Sequence, residues 1–282
     1  MKYRGICTHH KKKLLAALIG LLLLAAPAAL QAQFSYTVNA DNTLTVTGYS
    51  GPPWVVTIPT NIGGLTVSSI GFGAFAESLD GPWNLTSVTI PGSVTSIGGA
   101  AFSWCLSLSS VTISDGVMNI GESAFDYCTS LGSITIPGSV TSIGAAAFED
   151  CSSLSSVTIS NGVPSIGEFA FGDCGSLRSV TIPDSVTNIG VCAFIGCGLT
   201  GVAIPGSVTS IGGNAFAECP WLTGVTIPKS VTNIGDDPFS DCTELKAIAV
   251  DSQNLFYSGT NGVLFDKSKI TLIEYPGGLG GG

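Results

Sequence analysis

The chain has 282 residues, with ten Lys and Arg against 19 Asp and Glu and a formal net charge of −9. So acidic a chain repels phosphate backbones and anionic lipid, which disfavours nucleic-acid and membrane-surface binding. Its two histidines, His9 and His10, lie in an N-terminal stretch that reads as a removable leader, which leaves Ser-His, Cys-His and His-metal chemistries without an imidazole.

That leader begins with a basic segment, Lys2, Arg4 and Lys11 to Lys13, and continues into an apolar run from Leu14 to Ala26. The run has the length of a signal-peptide core and is short for a bilayer span. Residues 1–32 therefore read as a signal peptide cleaved after Ala32. Cleavage after Ala28 and an uncleaved N-terminal anchor are the competing readings. No second apolar run of spanning length follows, so the expectation is a secreted or cell-surface chain with no membrane insertion of its mature part. Without residues 1–32 the basic residues are Arg178, Lys229, Lys246, Lys267 and Lys269 against all 19 acids, a net charge of −14.

Residues 34–38 and 43–47 alternate apolar and polar around Asn39-Ala40-Asp41-Asn42, which is turn chemistry. The spacing predicts a β-hairpin over 33–54 that caps the first repeat of an array, and Gly48 to Pro53 link it to that array. Repeats begin at Val56-Thr57-Ile58-Pro59. The first is long, and from Ile90 the period is a strict 23 residues until one residue is lost before Ile204. Ile90, Ile113, Ile136, Ile159 and Ile182 share one column. Ile97, Ile120, Ile143, Ile166 and Ile189 share a second, each followed by Gly. Phe75, Phe102, Phe125, Phe148, Phe171, Phe194, Phe216 and Phe239 share a third.

A unit this small cannot bury its own apolar side chains, but stacked copies bury them as continuous columns. The V-x-I pair has period two, so both members face inward from a strand, and neighbouring units pair in parallel. The glycines after each I-G isoleucine suit a tight bend with positive φ or a close backbone approach. The prolines Pro91, Pro137, Pro183, Pro205 and Pro228 end the strand. The fold class is thus a mainly β repeat solenoid with about eight units over 55–251.

The pattern L-x-x-V-x-I-P-x-x-V-x-x-I-G-x-x-A-F-x-x-C resembles the BspA-like bacterial leucine-rich repeat family. Leu108 to Ile113 carries the strand part and Val94 to Cys105 the I-G-x-x-A-F-x-x-C half. The resemblance implies a right-handed leucine-rich repeat fold and an exported surface protein, some members of the family being adhesins. Residues 252–276 depart from the array. They read as a degenerate repeat or a closing hairpin cap over Val263–Phe265 and Ile270–Ile273, followed by a Gly-rich tail at 277–282.

Cys105, Cys128, Cys151, Cys174, Cys197, Cys219 and Cys242 share one column, with Cys192 apart from it. Without C-x-x-C spacing or histidine they read as a buried thiol column rather than zinc ligands or disulfides. The carboxylates Glu77, Asp126, Glu149, Asp150, Asp173, Glu218 and Asp241 lie near the A-F-x-x-C turn. They lack the density of a calcium loop and read as a solvated rim. Asp236-Asp237 and Glu149-Asp150 are adjacent in sequence and do not make a hydrolytic pair across a cleft. No enzyme, cofactor or metal is expected.

The outward strand positions are Ser87, Thr89, Ser110, Thr112, Ser133, Thr135, Ser156, Thr158, Ser179 and Thr181, continued at Gly224 and Thr226. This hydroxyl face, led by Ser110 to Thr181, is the candidate binding surface for a protein partner at a cell surface or in the extracellular matrix. An ordered-hydroxyl face for ice or glycan, and a purely structural surface component without a ligand, are the alternatives. The aromatics Trp54, Trp83, Trp104, Trp221, Tyr49 and Tyr127 break the pattern. Trp104, Tyr127 and Trp221, beside the Cys column, are the candidate contacts.

Overall fold

The computed structural model describes residues 33–52, 54–76 and 84–280. The leader over 1–32, and Pro53, Glu77 and Trp83, lie outside the described residues. Among the described residues no helix is long and apolar enough to cross a membrane.

The chain winds into a parallel β-solenoid of about nine turns. The strand column has one more member than the Phe column, so eight repeat units make nine turns. The V-x-I steps form short strands with their apolar residues inward, as in Ser110–Ile113, except at Val202 to Ile204, where a single bridge remains. Because the period is constant, identical positions pair: Ser87 with Ser110, Val88 with Val111, Thr89 with Thr112 and Ile90 with Ile113. The same register joins Ser133–Ile136 to Ser156–Ile159.

A second parallel ladder runs through the step before each I-G glycine. Ser96–Ile97 pairs with Asn119–Ile120, and that strand pairs with Ser142–Ile143. Sequence reading treated this step as a bend, since two residues are too few to show alternation. The third side of each turn is the A-F-x-x-C segment, and it too bonds to the next turn. Phe102 N–H donates to Ala124 O at 2.8 Å, and Phe125 N–H to Ala147 O at 2.9 Å. Left-handed residues such as Ser123 (φ 52°) and Tyr127 (φ 54°) turn the amides of this side along the axis.

The core is a set of columns. Phe102 to Phe239 stack face to face at centroid separations from 5.1 Å to 5.7 Å. The stack starts before the array, because Tyr49 lies 4.8 Å from Phe34 and 6.0 Å from Phe75. Tyr49, one of the aromatics outside the repeat pattern, is the bridge between the hairpin and the aromatic spine. The glycine column resolves to close approach: a Cβ on Gly121 would stand 2.6 Å from Gly99 N. Positive φ belongs to another corner, where Gly116 (φ 111°) and Gly162 (φ 122°) replace the usual Pro-led turn.

Both ends are covered. Strands β1 (Phe34–Val38) and β2 (Leu44–Tyr49) pair antiparallel, and β2 continues in parallel into Leu65–Ile70, so the hairpin extends the second ladder. At the other end Tyr257–Thr260, Val263–Asp266 and Leu272–Glu274 form a three-stranded antiparallel sheet against the last turn. Its side chains replace the backbone groups of a further turn: Glu274 Oε2 accepts from Phe239 N–H at 3.2 Å, and Tyr257 Oη accepts from Ile234 N–H at 2.8 Å.

Candidate binding face

The thiol column is spent on the fold. Cys128 Sγ donates to Phe102 O at 3.2 Å, Cys151 to Phe125 O at 3.3 Å and Cys174 to Phe148 O at 3.3 Å, each reaching back one turn. Burial pushes Cys151 and Cys197 up to about 12, so neither is a thiolate at neutral pH. Among the described residues no group of three or more His, Cys, Asp or Glu is placed to hold a metal ion.

The strand face separates into positions the fold uses and positions it leaves open. The column beside it is used: Ser109 Oγ donates to Thr86 O and Ser155 Oγ to Gly132 O, both at 3.1 Å. Ser110, Thr112, Ser133, Thr135, Ser156, Thr158, Ser179 and Thr181 are all exposed, and none of their hydroxyls bonds to another described residue. They form two straight, uncharged rows, with neighbours about 4.8 Å apart along each row.

The rows stop at Thr181. Beyond it the same columns hold Gly201 and Ala203, Gly224 and Thr226, and Ala247 and Ala249. The repeat here is one residue short, and the ladder narrows to a single bridge, Thr181 to Ala203. Loss of side-chain bulk leaves a hollow of about 560 Å³ over Ala203, Gly224, Ala247 and Ala249, edged by Pro228 and Asp251. A second hollow of about 610 Å³ adjoins it between Arg178, Thr200, Trp221, Thr223 and Glu244. The Arg178 guanidinium lies over the Trp221 ring, 5.7 Å from its centroid. Sequence reading missed this trough; the signal was the coincidence of the one-residue deletion with Gly and Ala in both hydroxyl columns.

The candidate aromatics do not meet at one place. Trp104 and Tyr127 stack on each other at 4.1 Å and 6°, at the left-handed position just before the Cys column. Trp221 follows its cysteine by two residues and belongs to the trough. Tyr127 is tied to Asp150, which pushes the phenol up by its hydrogen bond and its charge.

Near that stack, Asp126 Oδ1 is buried without a hydrogen-bond partner among the described residues. Burial first, then the charge of Asp150, pushes this carboxyl up to about 6. Burial raises Glu149 and Asp173 as well. A folded-state pKa above the unfolded value means the native state binds the extra proton, so stability from Asp126 is greatest below pH 3.8 and is lost as pH rises to about 6. Asp126→Asn removes this slope and stabilises the protein at pH 7 by about 1 kcal/mol, after allowance for screening of a half-exposed group. Urea unfolding of both proteins across that window is the check; an unchanged slope refutes it.

The comparisons with known proteins agree with this architecture. A model of the BspA type leucine rich repeat region, in six copies, matches residues 68–200 and 164–280. A leucine-rich repeat protein from Bacteroides ovatus is similar at 27% identity and a TM-score of 0.56, covering 79% of this chain and 65% of its own length. The chain thus spans just under two thirds of that protein. A leucine rich repeat protein of T. pallidum is similar at 28% identity and a TM-score of 0.56, over 76% of this chain and 88% of the other. No curated protein matches significantly.

Proposed function

The chain belongs to the BspA-type leucine-rich repeat family, and we propose that it is a non-catalytic scaffold that binds a protein partner through its strand face, at a cell surface or in the extracellular matrix. The observation that carries the reading is the pair of exposed, in-register hydroxyl rows that make no bond to the fold, beside thiols and hydroxyls that do. Solenoids of this kind present extended binding surfaces from residues their stacking does not need. Export rests on the basic and apolar leader over residues 1–32. An unbroken ice- or glycan-ordering array is disfavoured, because the rows end at Gly201 and Ala203.

The test is to recover partners from cell-surface extracts with the exported chain and with the Thr112→Arg, Thr135→Arg double variant. The variant should lose the partner while its stability changes by less than about 0.5 kcal/mol, as befits exposed positions. A partner retained in full, or none recovered by either chain, goes against the proposal, and the second result favours a structural surface component.

A further inference from the structure

We propose that the trough over Ala203, Gly224, Ala247 and Ala249 is where an extended, carboxylate-bearing segment of a protein partner docks, with Arg178 as its anchor. The inference rests on the scaffold reading above and names the chemistry of what the scaffold holds.

Charge is the first argument. Residues 33–282 carry only five basic side chains, and three border this trough. Arg178 lines it. Lys246 is the next member of the column beyond Thr223, in the register set by Val225 and Ile248. Lys229 follows Pro228 at the rim. Glu244 and Asp251 also border it, so three cations stand against two carboxylates in a chain that is otherwise strongly acidic. An anionic segment is repelled by the rest of the surface and drawn here.

The second argument is the way Arg178 is held. Its guanidinium lies over the Trp221 ring, 5.7 Å from the centroid, and its Nη1 donates to Gly198 O at 3.3 Å. A guanidinium placed over a ring and bonded to one carbonyl keeps further N–H donors for a two-point contact with a carboxylate. Trp and Arg are also the side chains that dominate binding hot spots.

The floor is the third. Apart from Thr226, its outward positions are Gly and Ala with no side chain beyond Cβ, so a second extended backbone can come close. The ladder thins to a single bridge at the Ala203 edge of the floor, while Val225–Ile227 keeps its parallel pairing with Ile248–Val250. Both hollows are open to solvent, which suits an extended segment lying across the surface rather than an enclosed small molecule.

The probe is a short fluorescein-labelled peptide alternating Glu and Thr, with a Gln and Thr peptide as its neutral counterpart, read by anisotropy and by amide shifts of the labelled protein. The Glu peptide should bind about tenfold more tightly than its counterpart and weaken with salt. Its shifts should fall within 200–204, 221–228 and 246–251. Arg178→Gln should cost about tenfold through the lost two-point contact, and Ala249→Trp, at an exposed position, should block the floor; circular dichroism confirms that both variants fold. Met118→Gln, exposed on the side of the second ladder, should leave this binding unchanged. Equal affinity for the two peptides, shifts elsewhere, an indifferent Arg178→Gln variant, or no binding of the Glu peptide each overturns the proposal. A partner still captured through Thr112 and Thr135 would then leave the scaffold reading standing.

Discussion

Phe148→Ala lowers the free energy of unfolding by about 3–5 kcal/mol, the largest effect expected of any single truncation in the array. Phe148 is fully buried, and its ring is stacked on both faces, 5.2 Å from Phe125 and 5.4 Å from Phe171. The turns on either side are held by three hydrogen-bonded sides and cannot close the gap, so the lost ring leaves a cavity rather than a repacked core. The substitution also cuts a linear array at its middle. Stability in such an array is close to a sum of unit and nearest-neighbour terms, so a weak central interface lets the halves unfold separately. Urea unfolding should therefore show a lower midpoint and a shallower apparent m-value, the mark of broken two-state behaviour. Phe75→Ala, at the half-buried first member of the column, should cost less and leave the slope intact. A loss under about 1 kcal/mol for Phe148→Ala would mean the spine fills space without stabilising the turns.

The constant period made the columns legible. Once Ile90, Ile113 and Ile136 repeat at one spacing, parallel in-register stacking is the arrangement that buries them all, and the Phe and Cys columns follow from it. What escaped reading depends on contacts between turns that have no periodic mark of their own. The strand at Ser96–Ile97 is two residues long and shows no alternation. Tyr49 lies outside the repeat, so nothing in its neighbours reveals that its ring continues the Phe column. The hydroxyl face looked uniform because Ser109 and Ser110 are the same residue type; only geometry shows that one is bonded to a carbonyl and the other is not. The trough was hidden for a related reason. Gly224 reads as a continuation of the hydroxyl columns, whereas in space the atoms missing at Ala203, Gly224, Ala247 and Ala249 add up to one hollow.

Glu274→Ala opens the far end of the solenoid. In every inner turn the Phe N–H is satisfied by a backbone carbonyl of the next turn, as Phe216 N–H is by Pro238 O at 2.9 Å. Phe239 has no such carbonyl, and the Glu274 carboxylate takes its place in a buried setting. Removing it leaves a buried N–H unsatisfied, at a cost of about 1–3 kcal/mol. Asn254 and Tyr257 secure the same end: the Asn254 amide donates to Pro228 O at 2.9 Å and Val231 O at 3.0 Å. The loss should therefore stay local and appear as faster hydrogen exchange at Phe239, with Phe125 and Phe148 unchanged. Glu274→Gln separates the acceptor from the charge. It keeps an oxygen for Phe239 N–H and removes a carboxylate whose burial raises its pKa above 4.5. With the folded value raised, the wild-type contribution is largest below pH 4.5 and declines as pH rises through the folded value. The Gln variant should lack that decline and match or exceed the wild type at neutral pH, while the Ala variant falls below both. If Ala and Gln behave alike, the carboxylate oxygen is not what closes the ladder, and the cap sheet holds the last turn by apolar contact alone.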